Sequence, residues 1–334
     1  MMMKKYQYAQ GVFSIEGAVS LEEKEGAVSP WKIWADKKYA FPYLSEPIGQ
    51  NWAGCRIALE TDGDAVGIEL IPSGEERLID LWINGKFAQT KVVEAEKGSL
   101  MFEGLESGEK RIELWIDQRS PSWVKGIFIP EGAFVRKYRD TRRRWVHYGS
   151  SISQSCAGGS PSEIWSVRAS RELGLHLTNL GMNGNCVLEP MMGRVMERLP
   201  ADLYTMALGI NVDVGHYSAR SFGPSTIGLI ETIRRSHPIT PIVIISPIVS
   251  LPREHKDAEG TLRMNLTQMR EILSQLVETY RSNGDENLYY IDGLSLFGEK
   301  EACYLPDELH PNKEGQPVLA EHFMREIKKL PLGY

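Results

Sequence analysis

Short runs of alternating or continuous apolar residues, separated by turn residues, fill the first 140 positions of the chain. Asp62-Gly63 separates two of these runs, and Asn84-Gly85, a strong signal for a tight hairpin, ends a third. No segment of useful length in this part has the 3.6-residue period of an amphipathic helix. Many short strands with turns between them predict an all-β sandwich or jelly roll over residues 1–140. The predicted strands are 56–60, 66–71, 78–83, 111–116 and 126–129.

From residue 141 onward, apolar strands alternate with helical stretches. The clearest predicted helix carries an apolar stripe in two heptad rows from Leu262 to Tyr280. Another is predicted to begin at Ser162 and to close at Gly174. This alternation predicts an α/β domain over 141–334, built on a doubly wound, mostly parallel sheet. The predicted strands are 145–148, 176–180, 203–208, 242–245 and 288–291.

Composition narrows the class of protein. The chain has 334 residues, of which 42% are hydrophobic and 25% are charged, values that are typical of a globular protein. The net charge of -6 argues against a nucleic-acid partner. The basic N-terminus has no apolar segment behind it, and no eighteen-residue apolar stretch exists, so we expect no secretory signal and no membrane span. The scattered cysteines favour free thiols in a reducing cytoplasm. They are Cys55, Cys156, Cys186 and Cys303.

Polar residues cluster where the predicted parallel strands end, which is the edge that carries the active site in such sheets. Gly149-Ser150-Ser151 follows the first strand, Asn183-Gly184-Asn185 the second and Asn211 the third. Asp307 and His310 follow the last strand, three residues apart on one short turn. A serine, an imidazole and a carboxylate are the groups that a catalytic triad for acyl transfer requires.

The expected roles follow from this chemistry. Ser151 attacks an acyl carbonyl, His310 takes its proton and later delivers it to the leaving oxygen, and Asp307 orients the imidazole. Suitable donors to the oxyanion are the backbone N–H groups of Ser151 and Gly184 and the side-chain amide of Asn211. By their residues alone, Ser150 and Ser151 compete for the role of nucleophile.

The segments resemble the four sequence blocks of the GDSL or SGNH hydrolase family, in order and spacing. They are Gly149-Ser150-Ser151-Ile152-Ser153, Asn183-Gly184-Asn185, Gly209-Ile210-Asn211 and Asp307-Glu308-Leu309-His310-Pro311. The resemblance covers residues 145 to 334 and implies a flavodoxin-like hydrolase domain with Ser151 as nucleophile. The whole chain is similar to the two-domain branch, in which a β-sandwich precedes the hydrolase domain and which includes esterases and acyltransferases.

Three segments depart from the family pattern. Ser150 stands where the family has aspartate, Val212 stands where it often has aspartate, and Asn183-Gly184-Asn185 replaces Ser-Gly-Asp. None of these residues belongs to the triad, so the departures bear on the polarity of the site. We expect Asn185 and His216 to contact the substrate.

Rival interpretations concern the nucleophile and a metal. Cys156 or Cys186 as nucleophile is weighed against the ordinary role of a small buried hydrophobe. A metal hydrolase is the weaker rival, because the histidines lack metal-ligand spacing and Asp307 with His310 gives only two ligands. We therefore expect neither a metal nor a cofactor.

The tryptophans raise a different function for the first domain. Trp82 and Trp115, in alternating strands, are expected in the core. Trp31, Trp34 and Trp52 lie in less regular segments and are expected either at the interface between the domains or at a surface, where they could bind a carbohydrate.

The sequence thus predicts a serine esterase that hydrolyses short acyl esters, with acetyl groups on sugars as the favoured substrate. The first alternative is an acyltransferase, which uses the same residues and moves the acyl group to an alcohol. The second is a non-catalytic carbohydrate-binding protein. A small-molecule or carbohydrate ester is the expected partner, and the oligomeric state stays open, a homo-oligomer included.

Overall fold

A computed structural model describes residues 2–212, 217–255 and 264–334. The chain divides into two compact units. The first unit comprises Met1–Lys38, Ser45–Thr141 and Ser160–Ser162, and the second comprises Tyr39–Leu44, Arg142–Gly159 and Glu163–Tyr334. Among the residues described, no helix has the length and apolar character needed to cross a membrane.

The first unit is built from two antiparallel sheets, which confirms the predicted β-sandwich. The strands are β1 (Met3–Tyr6), β2 (Ser14–Glu16), β3 (Ser20–Lys24), β4 (Ala27–Trp31), β5 (Arg56–Thr61), β6 (Ala65–Leu70), β7 (Arg77–Ile83), β8 (Lys86–Val93), β9 (Ser99–Glu103), β10 (Lys110–Ile116), β11 (Val124–Pro130) and β12 (Val135–Lys137). One sheet has the strand order β3-β4-β11-β6-β9 with β1 on β11, and the other has β12-β5-β10-β7-β8 with β2 on β5. Short 3-10 helices lie at Tyr8–Gln10 and Ala35–Ala40.

The predicted hairpin joins β7 to β8. Asn84 and Gly85 have φ values of 51° and 78°, the left-handed pair that a two-residue turn of type I′ requires. Ile83 pairs with Lys86 across this turn. The sequence pattern did not single out β8 because it is an edge strand whose side chains are mostly exposed.

Tryptophan burial corrects one expectation for the first unit. Trp82 and Trp115 are buried as predicted, but Trp31 and Trp52 are also buried, each with 1% exposure. Their indole N–H groups donate to Glu22 Oε2 and to the Ser122 carbonyl, each at 2.8 Å. Because each N–H has a partner, the rings lose nothing by leaving water, and neither ring is available to stack on a sugar.

The second unit contains a five-stranded parallel sheet with the order β14-β13-β15-β16-β17, the flavodoxin-like order that the family resemblance implied. Its strands are β13 (Arg143–Gly149), β14 (Leu175–Gly181), β15 (Leu203–Ala207), β16 (Ile242–Ile245) and β17 (Leu288–Ile291). Its helices are α1 (Ser151–Gln154), α2 (Trp165–Glu172), α3 (Pro190–Arg198), α4 (Ala219–Arg234), α5 (Leu251–Glu254), α6 (Leu266–Ser282), α7 (Gly293–Leu296) and α8 (Gly315–Ile327), with a 3-10 helix at Glu299–Tyr304.

Helix α6 carries the apolar stripe that the sequence predicts. Leu266, Met269, Leu273 and Leu276 are buried along one face. Leu262, placed at the start of this stripe, lies outside the described residues.

Helix α2 begins three residues later than the sequence indicates. Ser162, expected at its start, instead donates its backbone N–H and its hydroxyl to Asp80 Oδ2, at 2.9 and 2.6 Å. The first helical residue is Trp165, and the preceding Ile164 offers no capping side chain. A carboxylate far away in sequence therefore overrides the local capping preference of Ser162.

Asp80 is fully buried within the first unit and also accepts hydrogen bonds from the hydroxyl groups of Thr90 and Ser160. Replacing Asp80 by Asn removes the negative charge and leaves one acceptor oxygen in place of two, so we expect the free energy of unfolding to fall by about 3 kcal/mol. Urea unfolding measures this loss, with the exposed Glu103→Gln as control. Equal stabilities of the two variants would contradict the importance of this carboxylate.

Candidate active site

The turn that follows β13 presents Ser151 as the first residue of α1. Ser150 precedes it in an extended conformation, and its hydroxyl accepts the Ile152 N–H at 3.2 Å. A Cβ atom at Gly149 would stand 2.0 Å from Ser153 Oγ, so only glycine permits this close approach of strand and helix.

Helix α1 has a single turn, too short to be stable by itself. Its carbonyl groups therefore need partners from elsewhere. The indole N–H of Trp165 donates to the Ile152 carbonyl at 3.0 Å, and the Asn179 amide donates to the Ser153 carbonyl at 2.8 Å. Side chains from α2 and β14 thus hold the segment that carries Ser151.

His147 contacts the same helix through the side chain of Ser153. Its Nε2 lies 2.7 Å from Ser153 Oγ and its Nδ1 lies 2.6 Å from Thr205 Oγ1. Complete burial lowers the pKa of His147 to about 3, although a hydrogen bond with the backbone of Thr205 opposes this shift. The imidazole is neutral at physiological pH, and its two hydroxyl partners satisfy it without a counter-charge. His147 is a structural histidine, as expected from its position in a strand.

The turn between Leu305 and Pro311 presents the acid and the base. Glu308 has a left-handed φ of 61°, and its carbonyl accepts the Ser250 hydroxyl at 2.8 Å. Asp307 Oδ1 accepts the backbone N–H groups of Leu309 and His310, at 3.1 and 2.7 Å. These bonds fold the four residues into a compact turn that faces the nucleophile.

The structure brings the three predicted triad residues together. Ser151 Oγ lies 2.7 Å from His310 Nε2, and His310 Nδ1 lies 2.5 Å from Asp307 Oδ2. Partial burial acts to raise the pKa of Asp307, but the hydrogen bonds from His310 outweigh it and the pKa is lowered. An ionised Asp307 holds the Nδ1–H tautomer, which leaves Nε2 free to accept the proton of Ser151.

The loop that carries Gly184, one of the predicted oxyanion donors, is hydrogen-bonded to the nucleophile turn. The Asn183 N–H donates to Gln154 Oε1 at 3.1 Å, and the Met182 N–H donates to the Gly149 carbonyl at 2.8 Å. Gly184 is exposed, and no atom lies within 4 Å of where its Cβ would stand, so a substrate can approach its N–H.

Asn211 is oriented by its own oxygen. Asn211 Oδ1 accepts the Cys186 N–H at 2.9 Å, which leaves the Nδ2 amide as the group available to an oxyanion. Ser151, at the first position of α1, has a backbone N–H that no carbonyl of its own helix can accept. The three donors are therefore compatible with an oxyanion hole.

The other candidate residues have different surroundings. Asn185 donates its side-chain amide to the Asn183 carbonyl at 2.7 Å, within the glycine loop. His216, the second predicted substrate contact, lies outside the described residues. Burial raises the pKa of Cys186 to about 12, which opposes a thiolate nucleophile there. Within the described ranges, no group of three or more His, Cys, Asp or Glu residues could hold a metal ion.

Comparison with known proteins identifies the family. The model of the GDSL-like lipase/acylhydrolase family matches residues 142–328. The chain belongs to this family. The resemblance that the four sequence blocks indicated is thus confirmed, and the protein is an enzyme of the ester hydrolase or acyltransferase type. No curated protein matches the chain at a significant level.

Several solved structures share the architecture of this GDSL-family chain. The salicylyl-acyltransferase SsfX3 from a tetracycline biosynthetic pathway is 27% identical, with 98% of this chain and 97% of that chain covered and a TM-score of 0.89. A family two carbohydrate esterase from Cellvibrio japonicus is 13% identical, with 98% of both chains covered and a TM-score of 0.67. The acetyl xylan esterase Est2A from the rumen bacterium Butyrivibrio proteoclasticus is 14% identical, with both chains covered completely and a TM-score of 0.64.

Sequence reasoning missed the residues that hold this site in place. Gln154 directly follows the nucleophile block, so its nearness to Ser151 in sequence was a usable signal. Asn179 and Trp165 belong to no motif, and their contacts with α1 depend on how α2 and β14 pack.

We predict that Asn211→Asp lowers kcat by about 100-fold to 1000-fold, the loss typical of one oxyanion donor. The substitution keeps the oxygen that accepts the Cys186 N–H but replaces the amide donor by a carboxylate that repels the oxyanion. Steady-state kinetics with an activated ester measure the effect. Asn283→Asp, the same change in an exposed residue at the end of α6, is the control and should leave kcat unaltered.

Burial of neutral His147 makes stability depend on pH. Between its unfolded pKa of 6.5 and its folded value of about 3, only the unfolded chain binds a proton at this residue, so stability falls as pH falls. At pH 5 the resulting loss in the free energy of unfolding is about 2 kcal/mol. Urea unfolding at pH 7 and pH 5 should show that the parent loses this much more stability than His147→Gln. Equal losses in both proteins would contradict the prediction.

Proposed function

We propose that this GDSL-family protein is a serine esterase that hydrolyses short acyl esters, with acetyl esters of carbohydrates as the favoured class. The observation that carries the proposal is the continuous hydrogen-bonded line from Ser151 Oγ through His310 to Asp307. This line supplies a nucleophile, a base and an orienting carboxylate in one geometry.

The reaction has two halves. Ser151 Oγ attacks the ester carbonyl while its proton passes to His310 Nε2, and the charge that develops on the carbonyl oxygen is met by the donors of Ser151, Gly184 and Asn211. His310 then protonates the leaving alcohol, and an acyl group stays on Ser151. In the second half, His310 takes a proton from the water molecule that attacks the acyl carbonyl. His310 then returns this proton to Ser151 Oγ as the bond to the acyl group breaks and the acid leaves.

Solvent access supports water as the acceptor. The Ser151 residue is only 5% exposed, whereas the His310 side chain keeps 27% exposure and the Asp307 side chain 54%. An imidazole in contact with solvent can activate water for the second half of the reaction. The preference for acetylated sugars is supported by structural relatives with the same fold, which include an acetyl xylan esterase and a carbohydrate esterase in complex with cellohexaose.

An acyltransferase is the second candidate, and one observation favours it. The salicylyl-acyltransferase shares 27% identity with this chain over nearly the full length of both proteins. The catalytic residues are common to both reactions, and the difference lies in whether water or an alcohol takes the acyl group from Ser151.

The first experiment compares p-nitrophenyl acetate turnover by the parent, by Ser151→Ala and by Ser282→Ala, a serine exposed at the end of α6. We expect turnover in the parent and in Ser282→Ala, and a loss of about 1000-fold or more in Ser151→Ala. Equal rates in all three proteins would remove Ser151 from the mechanism. An inert parent that a serine-directed phosphonate fails to label would revive a binding role.

A second experiment separates the two reactions. The acyl-enzyme formed from p-nitrophenyl acetate is allowed to partition between water and added alcohols, including xylose, and the products are quantified. Acetate as the main product at every acceptor concentration supports the esterase. Acetylated alcohol as the main product would make the protein an acyltransferase.

A further inference from the structure

The catalytic hydrogen bond joins two turns that are 159 residues apart in the chain. Both turns are irregular or very short, so neither can hold its own position. The reacting atoms must nevertheless keep a separation of 2.7 Å between Ser151 Oγ and His310 Nε2. A displacement of about 1 Å in such a site can cost about 100-fold in rate.

Two buried side chains connect these turns. Trp165 donates its indole N–H to the carbonyl of Ile152, the residue after Ser151, at 3.0 Å. The backbone N–H of Trp165 donates to Gln316 Oε1 at 2.9 Å. Gln316 Nε2 then donates to the carbonyl of Pro311, the residue after His310, at 2.9 Å. With the catalytic hydrogen bond, these contacts form a closed ring.

The connection is shielded from water and sterically fixed. Trp165 is 3% exposed and Gln316 is 2% exposed, so water cannot easily replace a lost bond. The indole of Trp165 packs edge-on against Trp145, His147 and Phe323, with ring centroids 5.0–6.3 Å apart. Gln316 uses both ends of its amide, one for the start of α2 and one for the base turn.

We propose that Trp165 and Gln316 act as a positioning bridge that sets the distance between the nucleophile Ser151 and the base His310. The bridge rests on the proposed function, because that function makes the distance matter. Neither residue bonds to Ser151 or His310 directly. They act through the Ile152 and Pro311 carbonyls, and therefore they affect the geometry of attack more than the binding of substrate.

The test uses three variants of the full chain. Trp165→Phe keeps an aromatic ring but removes the N–H that holds Ile152. Gln316→Met keeps the length of the side chain and removes both amide contacts. The third variant combines the two changes. Tyr204→Phe is the matched control, because it removes buried hydrogen bonds to the Met196 and Leu199 carbonyls in the same unit, away from the two turns.

We expect each single variant to lower kcat for p-nitrophenyl acetate by about 10-fold to 100-fold, with KM changed by less than about twofold. Inactivation by a serine-directed phosphonate should slow in parallel. Because one missing contact already opens the ring, the double variant should lose less than the product of the two single losses. Tyr204→Phe should lower the melting temperature about as much as the single variants do, but without loss of kcat.

A kcat that stays within about twofold of the parent in both single variants would overturn the proposal. The proposal would also be overturned if the loss in kcat followed the loss in melting temperature across all variants, Tyr204→Phe included.

Hydrogen exchange separates failure of the bridge from failure of the proposed function. An esterase-inactive parent would refute the proposed function. The bridge would still be tested by the exchange rates of the backbone amides of Ser153, Gln154, Leu309 and His310. Faster exchange at both turns in Gln316→Met, and not in Tyr204→Phe, supports the bridge. Unchanged exchange at both turns would refute it.

Discussion

The position of Ser151 depends on a single-turn helix that cannot be stable alone. Its carbonyl groups are satisfied by Trp165 and Asn179, and the Ser153 hydroxyl is held by His147. Each of these partners is buried, so each bond contributes more than it would in water, and each would be costly to leave unmade. The chemistry of this site therefore depends on polar contacts in the core of the second unit.

Two Ser–His pairs among the described residues of this unit illustrate how burial assigns roles. The pair of Ser153 and His147 is enclosed, and desolvation keeps the imidazole neutral over the physiological range. The pair of Ser151 and His310 has nearly the same separation but is partly solvated and is completed by Asp307. Only the second pair has a carboxylate that stabilises the imidazolium formed during acyl transfer. The chemical groups are the same, and the environment decides which pair can exchange protons.

The sequence by itself determined the two fold classes and, through the family resemblance, the order of the parallel strands. It also singled out Ser151, His310 and Asp307, which the structure brings within hydrogen-bond distance of one another. These features depend on local patterns: apolar periodicity, a turn dipeptide such as Asn84-Gly85, and short blocks in which glycine, serine, aspartate and histidine keep fixed spacing. Such signals can be recognised in the sequence alone because each involves only a few neighbouring residues. The burial of Trp82 and Trp115 followed from the same alternation.

Only the tertiary structure decided how the site is held. Ser162 does not begin α2 as expected, because its N–H and hydroxyl donate to Asp80. The first N–H of the helix, that of Trp165, donates to Gln316 instead. Trp31 and Trp52 are buried because distant acceptors satisfy their indoles. Gln316 and Asn179 carry no motif at all. In each case the partner is remote in sequence, and the free energy of pairing a buried polar group, which local propensity does not contain, selects the outcome.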